Sequence, residues 1–176
     1  MEQSARTVEG LEAELAKSRA ETRSAFQTRA YMYAYLYEEL VTELGKDAAT
    51  ALMKRAIYRR GIEVGRKYRP AVEAADLVEV GSIFCDGSPC HGGLFEPGIE
   101  ENSKGHIVLR MTACPLHEAW QGMGLPPEEV DTLCEIAAAV DEGTFAGAGL
   151  DLKFLSRIGT AGTQRCLLDL TLPTDE

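Results

Sequence analysis

Apolar residues recur at intervals of three and four along the first half of the chain, and the quality of that spacing changes partway. From Val8 the series Val8, Leu11, Leu15, Ser18, Thr22 and Ala25 keeps helical intervals but drifts toward polar side chains, which predicts a peripheral or oligomer-forming helix. The series sharpens at Phe26, Ala30, Tyr33, Tyr37, Leu40 and Leu44, an apolar and aromatic stripe that predicts a core helix ended by Gly45 as its C′ residue. We therefore expect residues 1–25 as an N-terminal helical extension and 26–176 as a single domain. Asp47 should cap a second helix running to about Tyr68, with Pro70 as its stop. On it Gly61 and Gly65, four apart, leave one face bare, so another backbone or a ligand can approach closely there. Ala71 to Phe84 reads as a third, shorter helix.

The texture then changes. CDGSPCHGGLFEPG is rich in glycine and proline, hence a loop, and it carries Cys85, Cys90 and His91. Phe95 to Glu101 and His106 to Thr112 flank an Asn-Ser-Lys-Gly turn, and the alternation in HIVLRMT predicts a β-hairpin. Helical signals return at Pro115 and at Pro127, each proline suited to a first helical position, and the second helix should reach roughly Phe145. LDLKFLSRIGTAGTQRCLLDLTL holds two alternating apolar runs joined by a Gly/Thr turn, a second hairpin. This order predicts an α+β fold, N-terminal helices packed on an antiparallel sheet made of two hairpins with two intervening helices.

Composition narrows the function. The 176 residues are 45% hydrophobic, enough for one real core, and the formal charge of -10 repels nucleic acid and anionic membranes. A small-molecule substrate or a protein partner is expected, with homodimerisation through the N-terminal helix as one form of the latter. A signal-peptide pattern and an uncharged bilayer-length run are both missing, and an odd number of cysteines, 5, fits a reducing compartment, so a cytoplasmic protein is expected. No GxGxxG, P-loop, HExxH or GxSxG motif occurs.

Candidate chemistry concentrates between Cys114 and Cys166. Cys114 precedes Pro115, so its thiol should sit at a helix N-terminus where backbone N–H groups favour the thiolate, with His117 and Glu118 one turn on as base and orienting group. The alternative is a buried Cys acting as a small hydrophobe beside an exposed His. Val130, Leu133, Cys134, Ala137 and Val140 form an inward stripe, and Asp141 falls seven residues after Cys134 on nearly the same azimuth. A carboxyl there is either a general acid/base of raised pKa or a structural group bonded to nearby backbone N–H. Cys114, Cys134, Asp141 and Cys166, with His117, could also ligate Zn²⁺, although no close CxxC pair is present. The Cys85, Cys90, His91 loop is a weaker metal candidate. Arg55 and Arg59, sharing a face with Glu63 and Arg66, could hold a substrate carboxylate or form a solvated face, and Tyr33 belongs to a group of tyrosines of which some line a core or pocket.

Taken together, AYMYAYLYEELVTELG, ALMKRAIYRRGIEVGRKY and TACPLHEAWQGMGLPPEEVDTLCEIAAAVDEGTFAGAG with the closing Cys-containing strand resemble the L-2-amino-thiazoline-4-carboxylic acid hydrolase family, over about Arg29 to Leu170. The resemblance implies a hydrolase that opens a cyclic amidine-like C=N/C–N bond in a small amino-acid-like acid, giving an N-carbamoyl-cysteine type product. It also implies that Cys114, Cys134 and Asp141 are functional; the scheme these residues suggest has Cys114 attack the amidine-like carbon, His117 shuttle the proton, Asp141 position water or the ring nitrogen and Cys134 shape the pocket. The final hairpin with Cys166 is similar to 4-vinyl-reductase-type domains, which implies the alternative of a non-enzymatic small-molecule or zinc-binding sensor.

Overall fold

The computed structural model describes residues 8–160 and 162–173, so the first seven residues of the expected extension and Ala161 of the expected Gly/Thr turn lie outside the described residues. The weak and the strong apolar series form one uninterrupted helix, α1 (Val8–Leu44), whose buried residues are Ala30, Ala34 and Tyr37. The polar drift before Phe26 thus corresponds to a stretch with no buried side chain.

Gly45, at φ 80, reverses the chain between α1 and α2 (Lys46–Gly65): its N–H closes α1 on Val41 O at 2.9 Å and its carbonyl accepts from Ala49 at 3.0 Å. Only glycine adopts that conformation freely, so Gly45 is both stop and N-cap. Asp47 is accordingly not the cap; it lies in the first turn, where its charge still meets the positive helix end.

Pro70 does not stop the chain's helical course. A 3₁₀ turn at Arg66–Tyr68 leads into α3 (Arg69–Glu73), and Pro70 sits in its first turn, where its missing N–H has no bond to lose. The helix expected over Ala71 to Phe84 is broken: Ala75 takes φ 53, and Asp76 restarts the chain as α4 (Leu77–Asp86), its carboxylate accepting from Glu79 N at 3.0 Å.

The sheet follows the alternation. β1 (Pro97–Ser103) and β2 (His106–Met111) turn at Lys104 and Gly105; β3 (Asp151–Ser156) and β4 (Cys166–Thr171) form the second hairpin. β1 begins later than Phe95 because Glu96 adopts φ 48 at the end of the preceding turns. All neighbours are antiparallel in the order β1-β2-β4-β3, so the hairpins join through β2 and β4, with Leu109 opposite Leu168 and Met111 opposite Cys166. Ile107, Leu109, Leu168 and Leu170 point to one face and pack with Tyr68, Val80 and Phe145.

Between the hairpins lie α5 (Pro115–Gly122) and α6 (Pro127–Ala148), the latter ended by Gly149 at φ 93. A second core joins α1, α2, α5 and α6 around Ala30, Met53, Trp120, Leu133 and Ile136, and the Trp120 indole donates to Ala30 O at 2.8 Å. The bare face of α2 meets a backbone: a Cβ on Gly61 would strike Val140 O, one on Gly143 would strike Tyr58 O, and one on Gly147 would come within 2.7 Å of Ile62 O. α2 and α6 therefore touch main chain to main chain. Among the described residues no helix is long and apolar enough to cross a membrane.

Candidate active site

Where the two cores meet they leave a cavity of about 690 Å³. Cys114, Cys134, Asp141 and Cys166 all line it. Cys114 is the N-cap of α5, extended at φ -152 and ψ 110, with Pro115 starting the helix. Cys134 and Asp141 come from α6, two turns apart on one side of the helix. Cys166 opens β4 on the helix-facing side of the sheet, opposite Met111, and its sulfur accepts the Ile158 N–H at 3.3 Å.

The cavity is a poor solvent for charge, and this decides the protonation states. Burial raises the Asp141 carboxyl from its ordinary 3.8 to about 7, with the neighbouring Glu142 charge adding to the rise. Among the described residues no hydrogen bond or ion pair reaches the Asp141 carboxyl. Burial likewise pushes the Cys114 thiol up; the backbone N–H groups of His117 and Leu116 pull it down, and the charges of Asp141 and Glu118 raise it further. The helix N-terminus is thus outweighed, and the expected thiolate is a thiol at neutral pH, because the sulfur forms no full cap hydrogen bond while desolvation acts on all of it. Cys134 is raised by burial and then by the nearby Cys114 and Cys166; Cys166 rises to about 11 through burial, opposed by the Ile158 N–H. Asp141 is therefore the member of the set that exchanges its proton nearest neutrality, and a carboxylate formed there can take a proton from a neighbouring thiol or water.

The other expected residues are placed differently. Tyr33 lines the cavity, its phenol raised by burial against the pull of Arg29. His117, in the first turn of α5, is half-buried but does not line the cavity, and burial lowers its pKa while the Glu118 charge raises it. Glu118 pairs with Arg23 at 2.7 Å, so its carboxylate is engaged there although its charge still reaches His117. Arg55 and Arg59 miss the cavity and instead flank a shallow depression with Lys54, Tyr58 and Glu142, since the azimuth of α2 that faces the cavity carries Ile57, Arg60 and Val64. In the loop, Gly87, Ser88 and Pro89 reach the cavity, whereas Cys90 and His91 do not, and Cys85, expected in that loop, lies in the last turn of α4 and does not line the cavity either. Among the described residues no three His, Cys, Asp or Glu side chains are grouped so as to hold a metal ion, so the four proposed ligands share a cavity without forming a coordination cluster.

Sequence reasoning missed Tyr68 and Arg157. Tyr68 is buried at the 3₁₀ turn and is raised by burial and then by Asp141, which places its hydroxyl near that carboxyl. Arg157 follows β3, where strict alternation would turn it outward with Leu155. A register shift between Phe154 and Ser156 pairs Ser156 with Leu167, so the next residue turns to the inner face with Cys166. No signal in a single sequence marks that bulge.

The family model described as L-2-amino-thiazoline-4-carboxylic acid hydrolase matches residues 23–168. A search of curated proteins finds no match to the chain.

Proposed function

Because the chain belongs to the L-2-amino-thiazoline-4-carboxylic acid hydrolase family, we propose that its cavity hydrolyses a small cyclic amidine-like acid of the 2-amino-thiazoline-4-carboxylate type, using Cys114 as nucleophile and Asp141 as proton carrier. The observation that carries this reading is the unpartnered, buried Asp141 carboxyl poised at about 7 in the same cavity as Cys114. A group with a pKa near the operating pH is the best placed both to take and to return a proton.

The sequence of steps balances with one water. The Cys114 thiol adds to the ring carbon between the nitrogens and the ring sulfur as its proton passes to the Asp141 carboxylate, giving a tetrahedral adduct. The ring C–S bond then breaks, Asp141 returning the proton to the departing sulfur, and leaves an isothiourea on Cys114. Water adds to that carbon with Asp141 again as base, and the Cys114 C–S bond breaks to restore the thiol and release the N-carbamoyl-cysteine type product. Both nitrogens stay on the carbon, so the bond finally lost from the ring is C–S although addition takes place at C=N. Asp141 replaces His117 as the proton carrier in this scheme. Tyr68, near the same carboxyl, supports the scheme as a hydroxyl that can hold the ring or the water, and Cys134 shapes the wall.

The test is mass-spectrometric assay of the product with Cys114→Ala and Cys114→Ser. Both variants should fold and lose turnover by at least about a thousandfold, the scale on which losing a nucleophile acts. Unchanged turnover in either removes the nucleophile, and binding without turnover in the unaltered protein would instead leave a sensor. For self-association, the supporting surface is the exposed apolar series Val8 at 72%, Leu11 at 45% and Leu15 at 47% on α1. Removing residues 1–21 should then turn a sedimenting dimer into a monomer; an unchanged sedimentation coefficient rules that helix out.

A further inference from the structure

Four cationic side chains line the cavity: Arg29, Arg60, Lys67 and Arg157. Three are exposed and occupied at the rim, Arg29 over the Phe26 ring at 4.5 Å, Lys67 over the Tyr68 ring at 5.0 Å and Arg60 paired with Glu63 at 3.0 Å. Arg157 differs. Its side chain is 22% exposed, and among the described residues its one hydrogen bond runs from Nη2 to Asp131 Oδ1 at 2.7 Å. Thr160 Oγ1 steadies the same oxygen at 3.2 Å, so the guanidinium is held from the more exposed, Asp131 side. Its Nε is buried with no hydrogen-bond partner. That Nε is closed to the cavity, so the guanidinium, fixed at Asp131, offers a ligand its outer edge, the Nη1 N–H groups with the second hydrogen of Nη2, a fork that fits a carboxylate.

We infer that Arg157 is the specificity residue of the cavity, receiving the free carboxylate of its ligand and so restricting the site to small carboxylic acids. This deepens the hydrolase reading of the same cavity and rests on it for the reaction that the bound acid undergoes. The cation lies at the Cys134 and Cys166 end, since its charge pulls both thiols downward, whereas Asp141 feels burial and Glu142. A ligand acid held at Arg157 sits beside Cys134 and Cys166, the latter also feeling the Asp141 charge, and presents its other end toward Cys114 and Asp141.

The experiment separates binding from turnover. L-thiazolidine-4-carboxylic acid, which lacks the C=N bond and cannot be hydrolysed by the scheme above, and its 4-carboxamide are titrated calorimetrically into the unaltered protein, Arg157→Gln and Arg157→Lys. The unaltered protein should prefer the acid, Arg157→Gln should lower acid affinity on the order of 10- to 100-fold while leaving the amide unchanged, and Arg157→Lys should fall between, keeping the charge without the fork. In parallel, turnover of the aminothiazoline acid by Arg157→Lys should show a raised KM with kcat little changed. Equal losses for acid and amide, or no loss for either, overturn the assignment. Turnover of the aminothiazoline acid with no acid preference sinks Arg157 alone; an intact Arg157-dependent acid preference without turnover upholds Arg157 and sinks the hydrolase reading instead.

Discussion

Replacing Asp141 by Asn should abolish turnover and yet make the protein more stable at alkaline pH. The carboxyl's proton affinity rises from the ordinary 3.8 to about 7 on folding. At about 1.4 kcal/mol per pKa unit, keeping it ionised in the folded state costs up to about 4 kcal/mol. Asp141 is half-buried as a residue and its open side faces the cavity, where water screens part of the charge. Roughly half that figure, about 2 kcal/mol, is the expected gain for Asn. The direction follows from linkage: with the folded pKa above the unfolded one, the native state holds the extra proton between about 3.8 and 7. The penalty is absent below that window, grows through it and is complete above it, so the advantage of Asn should open from pH 4 upward and level off beyond about 7. Urea denaturation of both proteins at half-unit pH steps measures it, as the difference between two curves from which all other titrating groups cancel. A difference that is flat with pH, or that favours Asp at pH 8, would refute the buried, unpartnered carboxyl and with it the proton carrier.

Four further outcomes are expected. The kcat/KM for the aminothiazoline acid should rise as pH climbs through about 7, because the first step needs the Asp141 carboxylate, and a profile flat from pH 5.5 to 8 would exclude it. Gly143→Ala drives a methyl into the Tyr58 carbonyl and toward Gly61 Cα at 3.1 Å, and should cost about 3 kcal/mol in chemical denaturation; a loss under about 0.5 would show that the helices part easily. Trp120→Phe removes the indole bond to the Ala30 carbonyl, which keeps its place in the α1 ladder, and part of a fully buried ring, and should lower stability by about 1–3 kcal/mol, a neutral result showing that the indole adds nothing to this core. Deleting residues 1–21, of which the described residues 8–21 are exposed helix, should change the stability of the monomer by less than about 1 kcal/mol, read from its melting curve at low concentration.

What was legible in the sequence is what repeats. The stripe from Phe26 to Leu44, the inward face of α6 and the alternation of HIVLRM and CLLDLT are set by burial, and burial imposes a period. Cys134 and Asp141 could be placed in one wall for the same reason, and Gly61 with Gly65 announced a close approach. The features that stayed hidden depend on one backbone angle or on distant partners. Nothing about Ala75 signals φ 53, so a break between α3 and α4 looked like one helix. Glu118 belongs to Arg23, 95 residues away, which no local spacing reveals. Arg55 and Arg59 made an attractive polar stripe, but the hand of α2 aims Arg60 at the cavity instead, and the bulge before Ser156 turns Arg157 inward against the strand's own rhythm.

The side-chain-free seam between α2 and α6 has a consequence for how such a cavity can diversify. Because carbonyls and Cα atoms abut there, α6 has no soft layer along which to slide or roll, and the direction in which Asp141 leaves it is fixed by covalent geometry. The opposite walls, supplied by the start of α5, the loop after α4 and the mouth of the second hairpin, are built from side chains and turns that tolerate exchange. Ligand preference can therefore drift from one descendant to another by remodelling those walls, while the proton-handling carboxyl keeps its bearing.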